Sequence, residues 1–342
     1  MHKLRVAIVG ASGYSGEELL RLLLAHPNLE LTCITSRQEA GKPAGAVFPR
    51  HRECQLRFIQ PDVDQIAAQA DLAFLALPHG LANEYAAPLL QRGLKVIDIS
   101  ADFRLRSLEK YARYYQSEHP APELLQEAVY GLPEYYRQDI RQARLVACPG
   151  CYPTSVLLPT LPLLKVALVE TGGIEAFSMS GVTGAGRKLA APFLFPECNE
   201  SLRPYAITGH RHLPEIEQEL ALAAGVKELH INFLPHLVPV NRGIHSTILM
   251  QAKNEKAGEQ ALECLQQAYQ NEPFVRVLGK GELADTKNVT MTNYCEIGCA
   301  YDPHTGKVIL SSAVDNLSKG AAGQALQNLN IMAGWPEDCG LR

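Results

Sequence analysis

Hydrophobic positions follow two rhythms along this chain, and the change between them marks its architecture. In the first 150 residues, short apolar runs alternate with leucine-rich stretches at helical spacing. Leu4 to Val9 reads as a strand, Gly10 to Gly16 as a turn and Glu17 to Ala25 as a helix. Leucines three and four apart share one helix face, whereas a compact apolar run suits a strand covered on both sides. Leu29 to Thr35, Leu72 to Ala76 and Lys95 to Ile99 repeat the strand signature, with a helix from Leu81 to Arg92 between the last two. Strands alternating with helices predict an α/β fold with a parallel, doubly wound, Rossmann-type sheet. After Cys151 the pattern shifts to strand-rich pieces such as Ile174 to Met179 and Gly243 to Gln251, joined by irregular stretches. This shift predicts an α+β second domain that carries the substrate. Asn316 to Ala333 reads as helix again and is expected to rejoin the first domain. The expected division is 1–149 with 315–342 for nucleotide binding, and 150–314 for the substrate.

Composition narrows the class. A chain of 342 residues can bury a full core and is expected to form two domains. A net charge of -4 without a basic stripe gives no footprint for nucleic acid. No apolar run approaches a membrane span, and the start of the chain runs straight into a strand without a signal-peptide cleavage site. The expectation is a soluble, cytoplasmic protein. Nine cysteines, an odd number scattered along the chain, point to reduced thiols rather than a disulfide framework.

The first chemical signal is the glycine turn Gly10-Ala11-Ser12-Gly13-Tyr14-Ser15-Gly16 between strand and helix. Its G-x-x-G-x-x-G spacing differs from G-x-G-x-x-G, but the physics is similar. Glycines let the backbone approach a pyrophosphate, and the helix N-terminus stabilises its charge. An acidic residue at the end of the second strand would favour NAD, whereas Thr35-Ser36-Arg37 offers a hydroxyl and a guanidinium suited to a 2′-phosphate. NADP(H) is therefore the expected cofactor. Pro78-His79 follows the strand ending at Ala76 and lies at the same edge of the sheet.

The second signal is Cys151, in Val-Ala-Cys-Pro-Gly-Cys-Tyr-Pro-Thr-Ser from Val146 to Ser155. An apolar run leads into Pro149-Gly150 and a helix can begin at Thr154. The thiol then stands near a positive helix end, which favours thiolate. Cysteine and hydride donor together point to reduction of an activated acyl group through a thioester. Cys148 and Cys151 also form a Cys-x-x-Cys, but no second ligand pair completes a zinc set, and no metal is expected. An acid/base partner is needed. His210 and His212 flank Arg211 just before Pro214 and Glu215, a helix start, where a histidine tends to stay neutral and Glu215 is placed to orient it. Ser100-Ala101-Asp102-Phe103-Arg104 follows a strand end, so Arg104 is a candidate anion clamp, the alternative being a surface salt bridge with Asp102. Ser180 to Arg187 is a second glycine-rich loop, either closing over the ligands or a plain connector.

Taken together, these motifs resemble the N-acetyl-γ-glutamyl-phosphate reductase family of the semialdehyde dehydrogenase superfamily. The likeness covers nearly the whole chain and rests on Gly10 to Gly16, Ala76-Leu-Pro-His-Gly80, Ser100 to Arg104, Cys148 to Thr154, Ser180 to Gly186, Gly209 to His212, Pro235-His236 and Asp315 to Gln324. The resemblance implies NADPH-dependent reduction of an acyl phosphate in arginine biosynthesis, with Cys151 as nucleophile and a base from His210 or His212, His210 by its place in the motif. It implies cofactor contacts from the glycine turn and from Ser180, Gly181, Asn316 and Gly320. Ser100, Arg104 and Arg187 are candidate substrate contacts. A homo-oligomer, dimer or tetramer, is implied through the substrate domain. Two alternatives stay open: an aminoadipyl-phosphate reductase of lysine biosynthesis and a non-catalytic NADP-binding regulator. Arg37→Asp is expected to weaken the preference for NADPH over NADH, read as the ratio of the two kcat/KM values; an unchanged ratio excludes Arg37 as the selector.

Overall fold

The computed structural model describes residues 3–187 and 189–342. They form two compact units, one of residues through Tyr111 with Ser117–Gly150 and Ala321–Arg342, the other of Ala112–Gln116 and Cys151–Gly320.

The first unit is built on seven strands: β1 Leu4–Val9, β2 Leu29–Thr35, β3 Phe58–Ile59, β4 Leu72–Leu75, β5 Lys95–Asp98, β6 Val129–Tyr130 and β7 Leu145–Ala147. They lie in the order β3-β2-β1-β4-β5-β7-β6, and every neighbouring pair is parallel. β4 and β7 are buried at every position, as strands covered on both faces must be. The predicted helix after β1 begins a turn earlier than its leucines suggest, at Tyr14 rather than Glu17. The helix starts inside the glycine motif, with Gly13 as an extended N-cap. The helix predicted from Leu81 runs from Asn83 to Gln91.

The chain's last helix, Gly323–Ala333, is buried on nearly all sides and packs on the helices Tyr14–Ala25 and Pro133–Gln142. Its buried amides are paired: Asn328 Nδ2 donates to Gly131 O at 2.8 Å, and Asn330 Oδ1 meets His26 Nε2 at 3.1 Å. The uninterrupted helix predicted from Asn316 is not found. Ser318–Ala322 forms a π-helical turn, and Asn316 lies outside it.

The second unit has a mixed seven-stranded sheet of β8 Ile174–Gly181, β9 Arg203–Pro204, β10 Ile231–Val238, β11 Ile244–Gln251, β12 Val275–Val277, β13 Cys295–Asp302 and β14 Lys307–Val314. The order is β12-β13-β14-β11-β8-β10-β9. β10 and β11 alternate buried positions with half-buried or exposed ones, the mark of a sheet with one face against a core. That core is capped by the helix Cys151–Lys165, which packs on β11 and β14. Its residues Tyr152 to Leu164 are all buried, which explains why the sequence shows no polar stripe there. The helix opens at Cys151 and not at Thr154. Pro153 falls in the first turn, where its missing N–H is no loss.

Two glycines of the first turn should respond differently to a methyl group. Gly10 has φ +86° and an added Cβ would stand 2.6 Å from Ala76 O, whereas a Cβ on Gly13 meets nothing within 4 Å. Gly10→Ala is expected to cost about 1–3 kcal/mol from backbone strain, before the clash is counted. Gly13→Ala should stay within about 0.5 kcal/mol of the parent, as an open surface position does. Thermal denaturation of the two variants checks this.

Candidate active site

The C-terminal edge of the parallel sheet gathers the motifs of the first unit, where such sheets place ligands. Thr35 Oγ1 accepts from Gly10 N at 3.2 Å and Thr35 O from Ala11 N at 2.9 Å, so the end of β2 grips the glycine turn. Ser12 and Ser36 join hydroxyls at 3.0 Å. Tyr14 and Ser15 stand in the first helical turn, whose N-cap, Gly13, supplies no side-chain acceptor. Gly16 instead serves packing: a Cβ there would lie 2.5 Å from Ala11 O. Arg37 is half exposed, pairs with Glu84 and donates to Tyr85 Oη at 3.0 Å. Gly10 abuts Ala76 and Leu77, so Pro78 and His79 follow directly beside the turn.

Two buried aspartates sit beyond β5 and behave oppositely. Asp98 accepts from Ser100 N and Ser100 Oγ, both at 2.9 Å. Burial, with the nearby Asp102 charge, pushes its carboxyl up to about 7. Burial alone would also raise Asp102, but His79 Nδ1 at 2.9 Å and the N–H groups of Gly80 and Ala82 at 2.7 and 2.9 Å outweigh it, and the carboxyl lies below its ordinary range. Arg104 therefore makes no surface salt bridge with Asp102. It is buried, donating to Cys148 O at 2.7 Å through Nε and to Ile99 O at 2.8 Å, and so ties the ends of β5 and β7. Ser100 likewise has its hydroxyl committed to Asp98.

In the second unit Cys151 is partly exposed, in no disulfide, and first in its helix. Gly320 lies against it: a Cβ at 320 would come within 2.8 Å of the Cys151 Cβ. The turn carrying Gly320 is held by Asp315, fully buried, which takes Arg242 at 2.8 and 2.9 Å and the N–H groups of Met291, Leu317 and Ser318. Asn316 accepts from Gly243 N at 2.8 Å and donates to Thr183 Oγ1 at 3.0 Å, fastening β11 and the turn after β8. Ser180 and Gly181 end β8 itself, and Ser180 Oγ donates to Gly181 O at 3.0 Å. Arg187 is exposed beyond that turn. Cys148 belongs to the first unit's core, where Asn328 donates to its sulfur at 3.5 Å and burial pushes its thiol up to about 12.

His210 and His212 share one corner, ring centroids 4.9 Å apart. The His210 ring is walled by Tyr152, Tyr205 and Phe233 at 5.4, 5.5 and 5.4 Å. Tyr205 Oη donates to Tyr152 Oη at 3.0 Å, and Tyr152 Oη donates to His236 O at 3.3 Å. Glu215, expected to orient one of the two histidines, is buried at the start of the following helix and does not hydrogen-bond His210. The backbone N–H of His212 does, donating to His210 Nδ1 at 3.1 Å.

Residues 5–143 match the family model for the semialdehyde dehydrogenase NAD binding domain, and residues 151–316 the model for its dimerisation domain. The N-acetyl-gamma-glutamyl-phosphate reductase of Akkermansia muciniphila is 55% identical over 100% of this chain and 99% of its own. That of Saccharophagus degradans is 46% identical over 99% and 98%. The chain belongs to the N-acetyl-gamma-glutamyl-phosphate reductase family. Among solved structures, aspartate semialdehyde dehydrogenase II of Vibrio cholerae shares the fold, with TM-score 0.73 and 19% identity over 97% of this chain and 99% of that one. The NADP complex of the Candida albicans aspartate semialdehyde dehydrogenase gives 0.73 and 16% over 96% and 98%.

A nicotinamide cofactor fits the first unit of this reductase-family chain. The helix after the glycine turn has no side-chain cap, Gly13 faces open space, and the backbone N–H groups of the first turn are the donors a pyrophosphate needs. The sequence reading quoted Asp315 only as the head of a motif and gave no role to it or to Tyr205. Their signals were present: an aspartate before the Asn-Leu-Ser-Lys-Gly run, and a tyrosine five residues before the histidine pair. Neither reveals its partners, Arg242 and Tyr152, which are far off in sequence.

Asp98 gives the family member a measurable pH signature. Its folded pKa is raised above the unfolded carboxylate value, so the stability it contributes is complete below about pH 4 and is lost as pH rises toward 7. Asp98→Asn keeps both bonds to Ser100 and removes the titration. Its free energy of unfolding relative to the parent should rise steadily between pH 4 and 7, by up to about 1.4 kcal/mol per unit of pKa displacement, with a rising melting temperature as the readout; a constant difference would exclude the effect.

Proposed function

We propose that this chain reduces N-acetyl-L-glutamyl 5-phosphate to N-acetyl-L-glutamate 5-semialdehyde and phosphate, as a cytoplasmic enzyme of arginine biosynthesis. The observation that carries the reading is Cys151 at the first position of a buried helix, partly exposed, with Gly320 fitted against it. Relatives of that name at 46–55% identity over their whole length support it. The helix end stabilises the Cys151 thiolate. The thiolate attacks the acyl carbon, phosphate departs, and a thioester forms on Cys151. A reduced nicotinamide held by the first unit would supply hydride, and addition of hydride to the thioester carbon gives the thiohemiacetal alkoxide. This collapses to aldehyde and thiolate, with backbone amides near Cys151 and the His210 corner serving the acyl oxygen.

The residues we assign to the cofactor are Gly10 to Gly16, Ser36, Arg37 and the Pro78-His79 turn, with Ser180, Gly181, Asn316 and Gly320 from the second unit. NADP(H) is the form we assign, since no carboxylate ends β2 and Arg37 can exchange Glu84 for a phosphate. We assign a homo-oligomer, dimer or tetramer, to the second unit, which carries the dimerisation-domain match. The outer face of its sheet presents Phe177, Met179, Leu234 and Leu249 at half-buried or exposed positions. Among the described residues no helix is long and apolar enough to cross a membrane.

The test is reduction of NADP+ with N-acetylglutamate 5-semialdehyde, aminoadipate semialdehyde derivatives and aspartate semialdehyde, with and without phosphate. Phosphate-dependent turnover of the acetylglutamate compound is expected, with Cys151→Ser binding NADPH and turning over nothing. Turnover of a longer substrate alone moves the enzyme to lysine synthesis. Silence with all three despite NADPH binding favours a regulator.

A further inference from the structure

A row of serines crosses the sheet of the second unit. Ser246 on β11 pairs in register with Ser178 on β8 and with Ser312 on β14. All three are inaccessible to solvent, at positions where the same strands otherwise bury Ala176, Ile248 and Leu310. A hydroxyl is kept in such a place only where it is paired. Ser312 Oγ meets Cys295 Sγ at 3.5 Å. The other two are paired toward the helix Cys151–Lys165. Ser246 Oγ lies 2.7 Å from Ser178 Oγ and 2.8 Å from Ser155 Oγ, and Ser155 Oγ donates to Tyr152 O at 2.9 Å. A hydroxyl carries one proton and a carbonyl only accepts, which fixes the sense of the chain. Ser155 gives its proton to Tyr152 O and so accepts from Ser246, which in turn accepts from Ser178. The chain starts in the sheet and ends on the backbone carbonyl one residue past Cys151.

The helix needs the support. It holds Pro153, Pro159 and Pro162 within 15 residues. Pro153 lies in the first turn and removes no intrahelical bond, but Pro159 and Pro162 remove the amides that would reach the carbonyls of Ser155 and Leu158 four positions earlier. Hydroxyls brace the weakened ladder: Tyr269 Oη donates to Leu158 O at 2.5 Å, and Thr160 Oγ1 to Val156 O at 2.7 Å. The Ser155 bond braces the turn that carries Cys151. Cys151 and Ser155 are four residues apart and share one helix face, so the link to the sheet is made directly under the thiol-bearing residue. The free N–H groups of a helix end act over the first turn only. A first turn that loosens therefore loses its field at the thiol even while the rest of the helix stays folded.

We propose that Ser155, Ser246 and Ser178 are positioning residues for Cys151, holding through the Tyr152 carbonyl the first helical turn in the geometry that stabilises the thiolate. The proposal rests on the reading of Cys151 as the nucleophile.

The experiment compares the parent with Ser155→Ala, Ser246→Ala and Ser178→Ala, and with Thr160→Val, which loses a buried hydroxyl of the same helix outside the chain. Iodoacetamide alkylation of Cys151 across pH, read by mass spectrometry of its peptide, gives the thiol midpoint. Thermal denaturation gives stability, and phosphate-dependent turnover gives kcat and KM. The parent midpoint is expected below that of a free cysteine, about 8.5. It should rise by about half a unit to one unit in Ser155→Ala and Ser246→Ala. The rise should be smaller in Ser178→Ala, which leaves two links standing, and absent in Thr160→Val whatever happens to its melting temperature. At pH 7 kcat should fall with the thiolate fraction, by about three- to tenfold, with KM within about twofold of the parent, and should recover at higher pH. Ser155→Ala introduces the better helix former, so it reads the chain even where a sheet variant fails to fold. An unchanged midpoint in Ser155→Ala, a shift in Thr160→Val as large as in Ser246→Ala, or a parent midpoint at or above that of free cysteine overturns the proposal. If the acyl-phosphate reading itself fails, the parent shows no phosphate-dependent turnover with any of the three semialdehydes, and the alkylation midpoints still decide on the serine chain.

Discussion

The surroundings of Cys151 depend on one buried carboxylate. Asp315, at the end of β14, is inaccessible to solvent, and each of its oxygens is paired: both with Arg242, one with the N–H groups of Leu317 and Ser318, the other with that of Met291. A buried charge with this many partners is tolerated, while the same charge stripped of one partner typically costs 3–5 kcal/mol. The consequence is positional. Asp315 fixes the path of the chain into the π-turn Ser318–Ala322, and the path puts Gly320 against Cys151 with no room for a methyl group. π-Turns collect at functional sites, where they set a local backbone route that an α-helix could not follow. Here the route brings backbone to within van der Waals contact of the thiol-bearing residue.

The same logic divides the two aspartates of the first unit. Asp98 and Asp102 are both buried and belong to one loop, yet Asp102 is given a histidine and two backbone amides while Asp98 has one serine. Two like charges cannot both be ionised cheaply in so small a volume, and the structure resolves the conflict by solvating one of them with the protein. Asp102 thereby becomes the fixed charge that organises the Pro78 to Asn83 corner next to the glycine turn. Arg104, which sequence pairs naturally with Asp102, is spent on carbonyls at the ends of β5 and β7 instead.

Local periodicity made the parallel sheet legible, because strands covered on both faces are short and apolar where they are covered: β4 is apolar throughout, and β1, β2 and β5 carry most of their polar residues at their ends or at exposed positions. It gave the type of the helices better than their starts. Tyr14 and Cys151 open helices a turn before the hydrophobic pattern does, since the first turn of a helix is specified by what its free N–H groups need and not by what it buries. The motifs announced which segments carry chemistry. They could not announce the partners of each side chain: Ser36 bonded to Ser12, Arg37 to Glu84, Asn316 to Thr183 and Gly243. These are pairings between residues 24, 47, 133 and 73 positions apart, set by topology.

The expectation that Glu215 orients one of the two histidines shows, for His210, where sequence reasoning ended. An acidic residue in the first turn of the following helix is close in sequence and of the right charge, but the helix carries position 215 into its buried side. The amide of His212, two residues from His210 and invisible in any motif, takes the place. That exchange reverses the electronic sense of the ring. A carboxylate would have made His210 a stronger base; an N–H makes it a weaker one and commits the other nitrogen to donation. In the proposed reaction the thiol has a second source of activation, the position of Cys151 at a helix N-terminus, a field that stays in place whatever the protonation state of the neighbouring side chains.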